Sequence, residues 1–288
     1  MSRTDTSSGA PGSLPDEIRA RLDQAMAALS GTGSLLVAFS GGADSALVLA
    51  MAVRALGPGR VVAATSVAPS MPQSELAPAD AFAAELGVRH ERLHTRELER
   101  ADYRANGRDR CYFCKSELLD TLLRLADELG CRTVATGTNA DDAVDPFRPG
   151  IRAANERGVV SPLRDAGFTK ADVRETSRSW GLRTWDKPAS PCLASRIAYG
   201  IPIDSARLGR VEAAEESVRE ALRALGMETR DLRVRDLGHH VRIELDPSLA
   251  QRLGRAAELR SAVDHAGFSG VPMDVSAFRS GALNLLDI

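Results

Sequence analysis

The chain is predicted to be an α/β protein: a doubly wound, Rossmann-like parallel sheet followed by a second, smaller α+β domain. Three observations predict it. Short apolar runs that suit buried strands alternate with segments of helical spacing through the first half of the chain. A glycine-rich turn directly follows the first strand run. After Asp204 the rhythm changes to a long helix, two neighbouring strand runs, a helix and a last strand. At 288 residues the chain is long for one compact domain and comfortable for two. The expected divisions are a loose, disordered N-terminus over 1–15, the larger domain over 16–203 and the smaller over 204–288.

The elements follow in order. "EIRARLDQAMAALS" (17–30) spaces Ile18, Leu22, Met26 and Leu29 along one helical face and leads into the strand run "SLLVAFS" (34–40). "ALVLAMAVRAL" (46–56) is apolar enough for a helix packed on a sheet. "RVVAATSVA" (60–68) reads as a strand, "ELAPADAFAAELG" (75–87) as a helix and "RHERLHT" (89–95) as a strand. "KSELLDTLLRLADELG" (115–130) is an amphipathic helix closed by Gly130, and "CRTVATGT" (131–138) is a strand followed by polar "NADD". The pattern then loosens through "DPFRPGIRAANERGVVSPL", a helix over 169–181 and the proline-rich "WDKPASPCLASRIAYGIPI". The smaller domain is expected to hold helices over 206–226 and 248–267 and strands "DLRVRDLG", "HHVRIELDP" and "VPMDVSAF".

Composition narrows the function. Lys+Arg 37 against Asp+Glu 39 leaves a formal charge of −2, which argues against nucleic acid as a partner, because a basic surface supplies most of that affinity. The polar start "MSRTDTSSGAPGSLPDE" has no apolar core of a secretory signal, and no run of about 18 apolar residues suggests a membrane partner. A cytoplasmic location is therefore expected, where the four cysteines serve metal, catalysis or burial rather than a disulfide framework. Only Lys115, Lys170 and Lys187 among the basic residues are lysines.

The most informative segment is "AFSGGADSALVLA" (38–50). Two glycines let the backbone turn tightly, and Asp44–Ser45 opens the next helix, whose unpaired N–H groups suit phosphate oxygens. The Walker and GxGxxG spacings are absent. By itself the turn also reads as a strand–helix connection with an Asp cap. Ser40, Gly41, Gly42, Asp44 and Ser45 resemble, position by position, the loop of the PP-loop ATP pyrophosphatases. That resemblance implies ATP cleaved between its α- and β-phosphates, with AMP transferred to a substrate oxygen. It places "GTNADD" (137–142) on the same crevice, with Asn139 as a binding residue and Asp44, Asp141 and Asp142 as carboxylates for Mg2+.

Cys111 and Cys114 in "RDRCYFCKSELL" (108–119) fit a metal clamp, a redox disulfide or plain burial about equally when read alone. Cys192 lies between prolines in "KPASPCLASRIAYG" (187–200), with Arg196 placed to hold a thiolate or an anion. Cys131 opens a core strand and reads as buried. Together "SGGADS", "CYFCK", "GFTKADVR", the Cys192 loop and "LRVRDLGHHVRIEL" resemble the LarE family of ATP-dependent sulfur transferases over roughly residues 15–285. The resemblance implies a small-molecule nucleotide substrate, pyridinium-3,5-biscarboxylic acid mononucleotide, whose carboxylate is adenylated and turned into a thiocarboxylate. It implies a homo-oligomer, Cys192 as the sulfur-bearing residue, and Cys111, Cys114 and Cys192 as ligands of a 4Fe-4S cluster, with sacrifice of Cys192 itself as the alternative source. Three thiolates leave one iron open, whereas tetrahedral zinc needs a fourth ligand that none of the five histidines offers nearby in sequence. Arg233 and Arg235, on one face of a strand, are expected to fork a phosphate with Arg242; Glu215 and Trp185 match regions lining the family's site. Competing readings are a tRNA thiolase with an iron–sulfur cluster, which would call for a basic RNA-binding surface, an ammonia-using amidating synthetase, which leaves the cysteines unexplained, and a non-catalytic nucleotide-binding module.

Overall fold

The computed structural model describes residues 14–144, 150–253 and 257–279. The larger part opens with α1 (Asp16–Ser30), β1 (Leu35–Ala38) and α2 (Ala43–Leu56), then β2 (Val61–Ser66), α3 (Leu76–Glu85) and β3 (Arg89–Leu93). It continues through α4 (Ala101–Arg104), α5 (Arg110–Glu128), β4 (Thr133–Thr136), α6 (Ala140–Ala143), α7 (Gly150–Glu156), α8 (Pro162–Asp165) and α9 (Lys170–Ser179). The smaller part holds α10 (Ser205–Ala224), β5 (Leu232–Asp236), β6 (Val241–Leu245), α11 (Pro247–Arg252), α12 (Ala257–Val263) and β7 (Met273–Ala277).

Four parallel strands stand in the order β3-β2-β1-β4. The chain walks outward from β1 to β3, then crosses back to place β4 on the other side of β1. The order therefore reverses between β1 and β4, and the loops leaving those two strands splay apart at their carboxyl ends, where ligands of such sheets bind. Helix α2 is apolar almost all round, and Ala46 to Ala52 are buried because the helix is covered on several sides. One core cluster joins α1, α2 and α3 to the sheet; a second, with Leu119, Leu122 and Val134, covers the opposite face beneath α5.

The smaller sheet pairs β5 antiparallel to β6 and β6 parallel to β7. Its core takes in Leu193, Ala194, Ile197 and Ile203 from the Cys192 loop, together with Tyr103 of α4. The proline-rich loop is thus packed into the core of the smaller part.

Several expectations change. Helix α5 begins at Arg110, five residues before the expected start (115 − 110 = 5), so Cys111 and Cys114 lie in its first turns. The cause lies upstream: buried Asn106 takes a left-handed conformation (φ 55°) and donates to the carbonyls of Ala198 (2.7 Å) and Ile201 (2.8 Å), so the turn is completed early. Among the described residues the expected single helix over 248–267 is represented by α11, α12 and a π turn, Asp264–Phe268, broken within by Gly267 (φ 95°); residues 254–256 lie outside the described residues. Short helices α7 and α8 occupy the loosened region. Residues 1–13 of the expected loose N-terminus and Asp145–Pro149 lie outside the described residues.

Gly137, just after β4, faces the start of α2 so closely that a Cβ there would lie 2.6 Å from Ser45 N and 2.8 Å from Ser45 Cα. Both are backbone atoms, which cannot swing aside as a flexible side chain can. Gly137→Ala should therefore displace the start of α2 and lower the ATP-dependent pyrophosphate release that the loop's resemblance implies by about tenfold or more, since small misplacements of a binding group carry large rate costs. Release measured beside a thermal melt checks this; wild-type release would show that the loop tolerates the methyl.

Candidate active site

The glycine-rich loop joins β1 to α2 in the geometry its residues dictate. Gly41 adopts φ 71°, a conformation open to glycine, and Gly42 stands at the helix N-cap. Ser45 Oγ donates to Gly42 O (3.2 Å) and accepts from Ser40 N (3.2 Å), and the Ser40 and Ser45 hydroxyls lie 3.2 Å apart. Lys187 reaches across from the Cys192 loop, donating to Gly41 O (2.9 Å) and pairing with Glu75 (2.5 Å). The turn is held from both sides.

Above the sheet lies a cavity of about 400 Å³, the right scale for a nucleotide-sized ligand. Ser40, Gly42, Asp44 and Ser45 line one end with Gly137 and Asp142; Cys114, Lys115 and Cys192 line the other. Asn139 stands behind this rim as the cap of α6, forming a reciprocal capping box with Asp142. Asp141 does not line the cavity; it accepts from Lys170 N at 2.8 Å.

Cys111, Cys114 and Lys115 share one helical face of α5. Burial first, then the charges of Cys192 and Glu97, push the Cys114 thiol well above its ordinary range, so it stays protonated at neutral pH. Burial pulls the Lys115 ammonium down, opposed by Cys114. Glu97, 2% exposed, accepts from Ser70 Oγ (2.9 Å) and Thr95 Oγ1 (2.7 Å) and also lines this end. Buried Tyr103 is pushed upward by burial and then by Cys192 and Cys114; its hydroxyl adjoins Ser70 without hydrogen-bond geometry. None of the four cysteines is in a disulfide. Among the described residues no three His, Cys, Asp or Glu side chains converge closely enough to hold a single metal ion.

Five arginines grip the backbone of the Cys192 loop. Arg230 donates to Asp186 O (2.8 Å), Arg233 to Ala189 O (2.7 Å), Arg196 to Pro191 O (2.6 Å), Arg110 to Ala194 O (2.9 Å) and Arg235 to Ser195 O (2.7 Å). The loop is pinned to the sheet side as well, through Leu193 N to Ser70 O at 2.7 Å. A second cavity of about 410 Å³ lies behind the loop, shares Pro72, Glu75 and Ser190 with the first, and is lined by Lys187, Arg196 and Arg233.

The family model described as asparagine synthase matches residues 17–106, the segment with the glycine-rich loop. A pyridinium-3,5-bisthiocarboxylic acid mononucleotide synthase of Lactiplantibacillus plantarum is 34% identical over 263 residues, covering 90% of this chain and 92% of that protein. The chain belongs to the LarE family of ATP-dependent sulfur transferases. An uncharacterized protein of a Synechocystis strain is 44% identical over 252 residues, covering 86% of this chain and 91% of its own. An uncharacterized protein of Methanocaldococcus jannaschii is 27% identical over 172 residues, 60% of this chain and 65% of its own. No helix among the described residues is long and apolar enough to cross a membrane.

Within this LarE-family fold, several expected site residues take other partners. Arg196, expected to hold a thiolate or an anion, makes a two-pronged pair with Glu215 (2.8 and 3.1 Å) that leaves the side chains 3% and 9% exposed. The same guanidinium donates to Pro191 O (2.6 Å), so it ties the loop to Glu215. Of the expected phosphate fork, Arg235 pairs with Glu244 (2.7 Å) and lines neither cavity, and Arg242 pairs with Asp274 (3.0 Å). Arg233 does face the second cavity; burial, followed by the repulsion of Arg196, lowers its pKa to about 10, so it is still charged at neutral pH. Trp185 is 39% exposed and lines neither cavity, and Cys131 sits half-buried ahead of β4, away from both. Sequence reading passed over Glu75, Glu97, Arg110 and the close approach of Gly137. Only Gly137 carried a local signal, a glycine at a strand end before a polar turn.

Removing one partner of a buried ion pair strands the other. Glu215→Ala should destabilise the protein by about 3–5 kcal/mol, whereas Glu175→Ala at the exposed Arg178–Glu175 pair should cost about 1 kcal/mol or less. Urea unfolding of both variants measures the difference; equal losses would remove the Arg196–Glu215 pair as the anchor of the loop.

Proposed function

We propose that this enzyme adenylates a carboxylate of pyridinium-3,5-biscarboxylic acid mononucleotide and converts it to a thiocarboxylate for the nickel-pincer cofactor of lactate racemase. One observation carries the reading: the phosphate-binding loop and Cys192 line the same cavity. The name of the Lactiplantibacillus relative, a bisthiocarboxylic acid mononucleotide synthase, supports the substrate.

The chemistry follows from the two ends. The Gly41–Ser45 loop and the first turn of α2 hold the leaving pyrophosphate, and Asp44 and Asp142 would hold Mg2+, which would offset the phosphate charge. A substrate carboxylate oxygen attacks the α-phosphorus, the α–β bond breaks, and pyrophosphate takes the electron pair. A sulfur nucleophile at the Cys192 end then attacks the activated carbonyl and AMP leaves with the electron pair; a sulfide gives the thiocarboxylate directly, whereas Cys192 itself gives a thioester whose Cβ–S bond breaks as the Cα proton is lost, leaving dehydroalanine at 192. The substrate phosphate is assigned to the second cavity, facing Arg233.

The sulfur source is Cys192 itself or a sulfide held there. The donor set fits a 4Fe-4S cluster, which spreads its thiolate ligands over separate irons and so needs no single-ion convergence. Cys114 and Cys192 share the cavity, and Cys111 stands one turn from Cys114 on the same helical face. Cys111, Cys114 and Cys192 would hold the cluster, which would supply an exchangeable sulfide. A thiol held protonated by burial, like Cys114, is deprotonated when a metal binds it.

Cys192→Ser should keep substrate-dependent pyrophosphate release within about threefold of wild type while thiocarboxylate falls below detection, because adenylation uses the opposite end of the cavity. Cys114→Ser should keep the same release and lose turnover beyond one sulfur per chain. Coupled pyrophosphate and mass-spectrometric assays read both. Thiocarboxylate formed at the wild-type rate by Cys192→Ser would refute the assignment.

A further inference from the structure

Arg110 opens α5 and is 2% exposed. One guanidinium nitrogen donates to Asn106 Oδ1 and to Ala194 O (2.9 Å), the Tyr199 ring lies 5.2 Å away, and buried Nε has no hydrogen-bond partner. Both acceptors are neutral, and no carboxylate among the described residues pairs with this guanidinium. The contrast with other buried arginines is direct. Arg196 and Arg235 also hold loop carbonyls, yet each carries its own carboxylate, Glu215 and Glu244.

A buried guanidinium without a counterion is costly, and natural interiors pair such charges. A carbonyl grip alone would not need it, since four other arginines grip the same loop. Its place is fixed by geometry: Arg110 immediately precedes Cys111 at the start of α5, and the carbonyl it holds, Ala194 O, lies two residues after Cys192.

We propose that Arg110 is the built-in countercation of the sulfur site, neutralising the anionic sulfur carried between Cys111 and Cys192, whether thiolate, persulfide or cluster sulfide. The nature of that anion rests on the sulfur-transfer reading above; the placement of the charge does not. Arg110 is a positioning residue that sets the local potential at the reacting sulfur.

The test compares alkylation of each cysteine by iodoacetate, an anion, and iodoacetamide, its neutral analogue, in the full, reduced, iron-free chain at one pH. Because both reagents need the thiolate, their rate ratio cancels the thiolate fraction and reports the potential at the sulfur. The ratio at Cys192 and Cys111 should exceed that of N-acetylcysteine amide by at least about threefold, given a unit charge nearby in a partly desolvated site. Arg110→Gln should bring it down to the reference value, Arg110→Lys should keep it, and Cys131 should not respond to either change. A wild-type ratio equal to the reference, or one unchanged in Arg110→Gln, overturns the proposal, and the wild-type comparison decides even if the Gln variant does not fold. Read without iron or substrate, this ratio fails only if the charge is misplaced, whereas the Cys192→Ser assay fails only if the reaction is misassigned.

Discussion

The grip of five guanidiniums on the carbonyls of the Cys192 loop is the constraint on which the site depends. Pro188 and Pro191 stiffen the loop and remove two N–H donors, so it cannot satisfy its carbonyls as a helix or strand would. Arginine suits the task because its planar fork reaches a carbonyl and a carboxylate together, as Arg196 and Arg235 do. Four of the five come from the loop itself and the smaller part of the chain, and Arg110 comes from α5. The smaller sheet thereby sets where Cys192 stands relative to the nucleotide loop.

The topology supplies the other half. Reversal of strand order at β1 and β4 opens the crevice, and the cysteine face of α5 closes its far end. The phosphate end is built from backbone and hydroxyls, polar and pre-set; the sulfur end is buried among Tyr103, Cys114 and Glu97. Lys187 ties them, since one ammonium touches Gly41 O and Glu75 from within the Cys192 loop. A shift of that loop is therefore felt at the phosphate turn.

The strands, α2 and the Ser40–Ser45 turn were legible because their causes are local: apolar runs of the right length and two glycines where the backbone must turn. Cysteine spacing was legible as a pattern, although the early start of α5 depends on Asn106 bonding to Ala198 and Ile201, about ninety residues on. The partners of the arginines were not legible for the same reason. Glu215 lies 19 residues from Arg196 and Ser195 lies 40 from Arg235, so nothing beside either arginine showed that its partner was already in the protein. Lys187 meets Gly41 across 146 residues, a contact fixed by the folded chain alone.

The central claim is that one cavity couples ATP cleavage to sulfur delivery, and the stoichiometry of a single turnover tests it most directly. With enzyme in excess over carboxylated nucleotide, the products counted together should be one AMP and one pyrophosphate for each sulfur found in the thiocarboxylate. ADP and phosphate in their place, or AMP and pyrophosphate formed with no sulfur transferred by the wild-type protein, would contradict the account.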